Sequence, residues 1–174
     1  MLHSDPAIKH FLDNGFAREN DAVVLNLDVS HFRPLVDRRQ VQLRRRLTVD
    51  VLPDPPAKDW WEACTYGGFD RLRFDAHKRE GGPSVADVTV WNMLPLCSSW
   101  GIHAVGLMEL SVQPGEHRQG TATYLMGEAV RHLSGSGVSV VEAQVPDEND
   151  PALALFGKLG FVEVDRTVSL RKML

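Results

Sequence analysis

Cysteine is scarce. Cys64 and Cys97 are the only two, 33 positions apart (97 − 64), and neither stands in a C-x-x-C or Cys/His cluster with zinc-site spacing. A disulfide-stapled scaffold is thereby excluded, no cysteine zinc site is indicated, and buried thiols in a reducing compartment are expected. No run of about 18 apolar residues occurs, and MLHSDPAIKHFLD has charges and a proline where a secretion signal needs an apolar stretch. The expectation is a cytoplasmic protein with no membrane partner. Excess charge of either sign is also missing: 19 Lys+Arg against 23 Asp+Glu leave −4 at pH 7. That balance lacks the basic footprint of a nucleic-acid binder. Nor does the chain contain H-E-x-x-H, G-x-S-x-G, a Walker A loop or G-x-G-x-x-G, which removes several common active sites.

What is present is an ordinary globular composition. With 43% hydrophobic and 24% charged residues in 174 positions, the chain has the size and balance of one folded domain. It repeats itself at its two ends. Residues 5–16 (DPAIKHFLDNGF) lie over residues 150–161 (DPALALFGKLGF) at a constant offset of 145 (150 − 5), and the match continues at Val23/Val168 and Leu25/Leu170. Each copy reads as a short helix with an acidic cap and an early proline, a C-cap glycine, and a β-prone strand. In the first copy Ile8, Phe11, Leu12 and Phe16 form an apolar stripe that needs cover. Residues 5–29 are therefore expected to be ordered, docked on a sheet of the same chain or swapped into a second copy as a homodimer.

Between the copies, residues 32–46 (FRPLVDRRQVQLRRR) read as a basic linker entering a strand, with Arg44, Arg45 and Arg46 on a solvated edge or in a phosphate patch. Strands are expected over 47–52, 69–77, 85–93 and 103–112, and a short helix over 58–66. A longer helix over 121–133 is marked by Ala122, Leu125, Met126, Ala129, Val130 and Leu133 at core-facing spacing. A strand over 138–145, a helix beginning near Pro151 and a strand over 161–173 complete the order. This order predicts an α/β (α+β) fold: a mixed, mostly antiparallel sheet flanked by helices, hairpins first and a βαβα unit last. The expected organisation is an N-terminal helix-strand unit over 1–32, a linker over 33–46 and a domain over 47–174.

The chemistry concentrates in Pro114-Gly115-Glu116-His117-Arg118-Gln119-Gly120-Thr121-Ala122, between a strand and the helix starting near Thr121. The free N–H groups of a first helical turn and its positive dipole end suit a pyrophosphate, small residues let it approach, and Arg118 adds a charge-assisted contact. Alone, a strand-loop-helix turn with one glycine is more often only a turn. Joined to Val112-x-Pro114 upstream and to Asn149-x-x-Ala152-x-x-Leu155-Phe156 closing in Lys158-Leu159-Gly160-Phe161 downstream, it resembles the GCN5-related N-acetyltransferase (GNAT) superfamily. That family's signature is Q/R-x-x-G-x-G/A, with a later N-x-x-A-x-x-L-Y motif. The resemblance covers about residues 47–174 and is most specific over 112–161.

The resemblance implies a GNAT-like fold and an acetyltransferase that uses acetyl-CoA as co-substrate, without a metal. It further implies direct transfer to a primary amine in a ternary complex, the acceptor being a small-molecule or peptide amine. Leu110, Ser111 and Val112 would hold the pantetheine arm; His117, Arg118, Gln119, Gly120, Thr121 and Ala122 would hold the pyrophosphate; Asn149 would bond the arm or only cap its helix. Residues 5–27 resemble the last helix and strand of another such domain, as in a tandem protein.

Two positions depart from the pattern. His117 stands where the family has Gln or Arg, and Phe156 stands where a Tyr often protonates the departing thiolate, a task phenylalanine cannot perform. Water or another group must then supply that proton, or transfer is slow, and the alternative reading is a non-catalytic or weakly catalytic acyl-CoA-binding module. Attack by an amine also needs a proton acceptor. Glu109, acidic in an otherwise apolar strand, is the candidate base, although a charge on a solvated face explains it equally well. Glu142 and Gln144 alternate with apolar residues and would line an acceptor groove or simply face solvent.

Overall fold

The computed structural model describes residues 6–172, and of Trp100 only the backbone. Asp5 and Met173, the outer limits of two expected elements, lie outside the described residues. In chain order the first elements are α1 (Pro6–Asp13), β1 (Phe16–Asp28), α2 (Arg38–Arg46), β2 (Leu47–Pro53), α3 (Trp60–Tyr66), β3 (Arg71–Lys78) and β4 (Ser84–Asn92). There follow α4 (Leu94–Trp100), β5 (Ala104–Val112), α5 (Thr121–Gly135), β6 (Val140–Pro146), α6 (Asp150–Lys158) and β7 (Val162–Lys172). The seven strands pair mostly antiparallel, with β5 and β6 parallel. The chain divides into two compact units, one comprising the residues up to Asn26 together with those from Ala143 onward, the other Leu27–Glu142. No described helix is long and apolar enough to cross a membrane.

In the first unit the two copies of the terminal repeat pair with each other. β1 runs antiparallel to β7 from Phe16↔Lys172 to Asn26↔Val162. Ala22 and Thr167, equivalent positions of the repeat (167 − 22 = 145), are themselves cross-strand partners, so a local two-fold axis passes through that pair. Each copy also repeats its turn. Gly15 (φ 82°) and Gly160 (φ 91°) leave the helix in the left-handed region that favours glycine, and the flanking phenylalanines meet edge to face, Phe11 on Phe16 at 5.2 Å and Phe156 on Phe161 at 4.9 Å. The copies differ in burial. Phe156 is enclosed, whereas Phe11 and Leu12 on α1 stay more than two-fifths exposed and α1 buries no residue. The expected docking thus holds for β1, which buries Val23, Val24 and Leu25, and not for its helix.

The second unit is built on β2-β3-β4-β5 and the first half of β6. Register sets its two faces, because cross-strand partners share a side. Val51↔Phe74↔Val88↔Leu110 and Val49↔Ala76↔Ala86↔Val112 form the apolar face. Against it α5 lays its stripe, with Leu125, Met126, Ala129, Val130 and Leu133 all buried and His132 edge-on to Phe74. The other face is polar.

Two helices were not expected. Residues 38–46 form α2 rather than a linker entering a strand. Asp37 caps it by accepting from the Gln40 N–H at 2.8 Å, and Leu43 alone is buried, so no apolar stripe advertises it. α4 begins with a proline in its first turn and ends at Gly101 in the left-handed region. It carries Cys97 into a small core with Met93 and Ala104, where the sulfur accepts from the Ala104 N–H at 3.1 Å. Cys64, expected buried, is exposed, because α3 buries none of its residues.

Candidate active site

β5 is the axis of the site. Its parallel pairing with β6 covers only Ala104↔Val140, Val105↔Val141 and Gly106↔Glu142; from residue 107 to 112 its sole registered neighbour is β4. An edge of backbone groups therefore lies open at Leu110 and at the Val112 N–H, the residues that alternate away from β4, while the Val112 carbonyl is taken by His117; such an edge is of the kind an extended amide-bearing ligand completes as an added strand. β5 is also bulged. Thr89 faces Glu109 but Val90 faces Leu107, which leaves Met108 without a partner in the ladder. Gly106 is demanded by close approach: a Cβ there would lie 2.3 Å from the Trp91 indole nitrogen.

The edge leads directly into the loop before α5. A 3-10 turn over Pro114–Glu116 is followed by Arg118 at φ 57° and Gly120 at φ 87°, which turn the chain sharply into the helix. The first bond of α5 runs from the Tyr124 N–H to the Gly120 carbonyl at 2.9 Å, so the N–H groups of Thr121, Ala122 and Thr123 precede the helical ladder. No side chain caps them. Thr121 is 1% exposed, yet its Oγ1 has no partner.

Side chains hold this loop still. His117 donates from Nε2 to the Val112 carbonyl at 2.8 Å, tying the loop to the end of β5. Gln119 donates from Nε2 to the Gly115 carbonyl at 2.7 Å. Glu116 is buried and pairs with Arg46 of α2 and, at 3.4 Å, with Lys78 of β3. α2 thus packs against the loop, and Gln40 reaches the Gly120 carbonyl at 3.4 Å.

On the polar face, Asp50↔Asp75↔Asp87↔Ser111 and Arg73↔Thr89↔Glu109 line up across the strands. Glu109 is about half exposed and paired with Lys58, just before α3. α3 itself is capped by Asp59, which accepts from the Glu62 N–H at 2.8 Å, and is anchored by Glu62 to the buried Arg71 at 2.7 Å. Its Trp60 and Trp61 remain exposed. Asp87 is the carboxylate sequence reasoning missed. Its Oδ2 is buried without a partner, and burial pushes its carboxyl up from the usual range against the pull of Arg73 and Lys58. No periodicity marks it, because an acid on an alternating strand looks like any solvated one.

A raised carboxyl has a stability consequence of fixed sign. The folded state holds the Asp87 proton more tightly than the unfolded chain, so this group costs stability once pH has risen through its folded value, and the cost vanishes below the unfolded value. Asp87→Asn should therefore raise Tm at pH 7 and lose that advantage as pH falls below about 3.9, the usual unfolded value. Melting curves across that range check it; a lower Tm at neutral pH would mean the ion pair with Arg73 dominates.

Asn149 and Phe156 lie in the other unit. Asn149 caps α6 by accepting from the Ala152 N–H at 3.2 Å, and Phe156 is spent in the ring contact with Phe161. Glu142 and Gln144 stand on β6, half-buried and exposed respectively.

Residues 91–161 match the family model of the acetyltransferase (GNAT) family. No curated protein sequence matches significantly. Solved structures match at low identity. A tandem GNAT protein from the clavulanic acid biosynthesis pathway superposes with a TM-score of 0.67 at 14% identity, covering 96% of this chain and 58% of that one. A GCN5-related N-acetyltransferase from Kribbella flavida gives 0.63 at 12%, covering 97% and 64%. An aminoglycoside acetyltransferase from an uncultured soil metagenomic sample, in complex with sisomicin, gives 0.59 at 14%, with 76% of this chain covering 99% of that one. The chain spans less than two thirds of the length of the first two.

Proposed function

From the match of residues 91–161 to the acetyltransferase (GNAT) family model and the GNAT-like fold, we propose that this protein transfers an acetyl group from acetyl-CoA to a primary amine. The observation that carries the reading is the open edge of β5 running without interruption into the loop and first turn of α5. The Leu110 backbone and the Val112 N–H, either side of Ser111, offer the amide partners a pantetheine arm requires. Arg118, Gln119, Gly120, Thr121 and Ala122 offer N–H groups and one charge to a pyrophosphate. His117 serves by fixing the loop rather than by touching the ligand. Asn149 caps α6 through Oδ1 alone, which leaves its amide N–H groups for the cofactor arm, and Phe156 packs on Phe161; the reading does not depend on either.

In the reaction the amine nitrogen attacks the thioester carbonyl, the N–C bond forms, the C–S bond breaks, and the amine gives up one proton. The register shift at Met108 is the place on β5 where a backbone N–H would donate to the developing oxyanion. Glu109 takes the amine's proton once Lys58 moves aside, and solvent protonates the thiolate. The carboxylates of Asp75, Asp87 and Glu109, set against the Arg73 and Lys58 that pair with them, leave a mildly negative polar face for the acceptor, a small-molecule or peptide amine. Asp87 is the second reading for the base, favoured by its unpartnered buried oxygen.

Glu109→Gln is expected to lower kcat by roughly 10²-fold and to change the pH–rate profile, with acetyl-CoA affinity intact. Were Asp87→Asn to do so instead, the base is Asp87; if neither variant alters the profile, carboxylate catalysis is wrong. Phe156 motivates the alternative, a module that binds acyl-CoA with little transfer. Acetyl-CoA binding without thiol release across a broad amine panel would establish that alternative.

A further inference from the structure

α2 lies upstream of the segment that matches the family model, yet it faces the loop through which the cofactor is read. Arg39, Gln42, Leu43 and Arg46 of α2 and Arg118 and Gln119 of the loop line a cavity of about 410 Å³. Three arginines thus line one space. Arg46 is tied to Glu116, but among the described residues neither Arg39 nor Arg118 has an anionic partner. Like charges brought together without neutralisation repel, and an anion between them reverses the sign of that term. Beside the cavity stand the first-turn N–H groups of α5 and the buried, unpartnered Thr121 hydroxyl.

Coenzyme A carries two separate phosphate groups: the diphosphate bridge and the ribose 3′-phosphate. A diphosphate suits a row of backbone N–H groups at a helix start. A dianionic monoester with three equivalent oxygens suits planar guanidinium forks, which bind phosphate bidentately. Resting on the acetyl-CoA reading above, we infer that α2 builds a second phosphate subsite, in which Arg39, with Arg46, takes the 3′-phosphate of the nucleotide beside the Arg118 charge already given to the pyrophosphate. This assigns a binding role to residues 39 and 46, which a linker would not have.

The comparison of CoA with 3′-dephospho-CoA tests it, because the two differ only in that monoester. By calorimetry the wild-type protein should bind CoA about tenfold or more tightly than 3′-dephospho-CoA, the scale of charge-assisted contacts to one phosphate. Arg39→Ala should bring the two affinities within about twofold by weakening CoA alone, whereas Arg45→Ala, on the same helix but outside the cavity, should leave the wild-type ratio. A wild-type protein without preference, or an Arg39→Ala variant that keeps it, would overturn the subsite while leaving the acetyl-CoA reading standing. Failure of both nucleotides to bind at millimolar concentration would instead bring down that reading, and the subsite with it.

Discussion

Removal of residues 1–32 is expected to cost the protein its soluble, cooperative fold. All registered pairing of β7 is to β1, so deletion leaves an 11-residue strand with both backbone edges seeking partners. The deleted segment also contributes Val23, Val24, Leu25, Leu27 and Val29, each less than a tenth exposed. At roughly 1.5–3 kcal/mol per buried aliphatic side chain, their loss is comparable with the whole net stability of an ordinary domain, about 5–15 kcal/mol. The truncated chain should be recovered aggregated, or should melt without a sharp transition. Leu25→Ala in the full chain gives a graded version: about 2–5 kcal/mol lost in chemical denaturation. An unchanged melting curve in either case would make β1 an ornament on an independently stable domain.

Gly120→Val should abolish acetyl-CoA binding, with a fall in affinity of roughly 10²-fold or more. Two effects act together. The φ of 87° is open to glycine but costs a residue with a Cβ about 1–2 kcal/mol, and a branched one more. The new Cβ would also meet α2, 3.2 Å from Gln40 Nε2 and 3.6 Å from Arg39 Cδ. The substitution is thus directed against α2, so that either the helix or the loop must move and the N–H groups lose their arrangement. Gly115→Ala is the control, since a Cβ there meets nothing within 4 Å and affinity should stay near wild type. Wild-type affinity in Gly120→Val, with circular dichroism intact, would place the site elsewhere.

The elements that sequence reading found share a physical property: they bury a periodic face or repeat a turn. α5 announces itself because five of its core-facing residues recur at helical spacing, and the terminal repeat because the helix-glycine-phenylalanine turn needs the same residues each time. α2 and α4 were missed for the opposite reason. α2 buries Leu43 alone; beyond the local cap by Asp37 it is held by Arg46 on Glu116, a contact between residues 70 positions apart in sequence. The loop was legible as a phosphate cradle, since strand, glycine and helix start are consecutive. What tertiary contact adds was not: His117 pinned to Val112, Asp87 deprived of water by its neighbours, and Arg39 brought beside Arg118. The pairing of β1 with β7 was only half legible. Docking of the strand followed from its apolar pattern, whereas the exposure of α1 could not be inferred from the stripe it carries.

The central claim, transfer of acetyl from acetyl-CoA to an amine, is tested most directly by incubating the protein with isotopically labelled acetyl-CoA and a broad panel of primary amines. Free thiol and labelled product are read together. The account predicts thiol release that depends on the amine and on the protein, matched one for one by labelled acetylated amine. Thiol release no faster than in protein-free controls for every amine, in protein shown to bind acetyl-CoA, would contradict it.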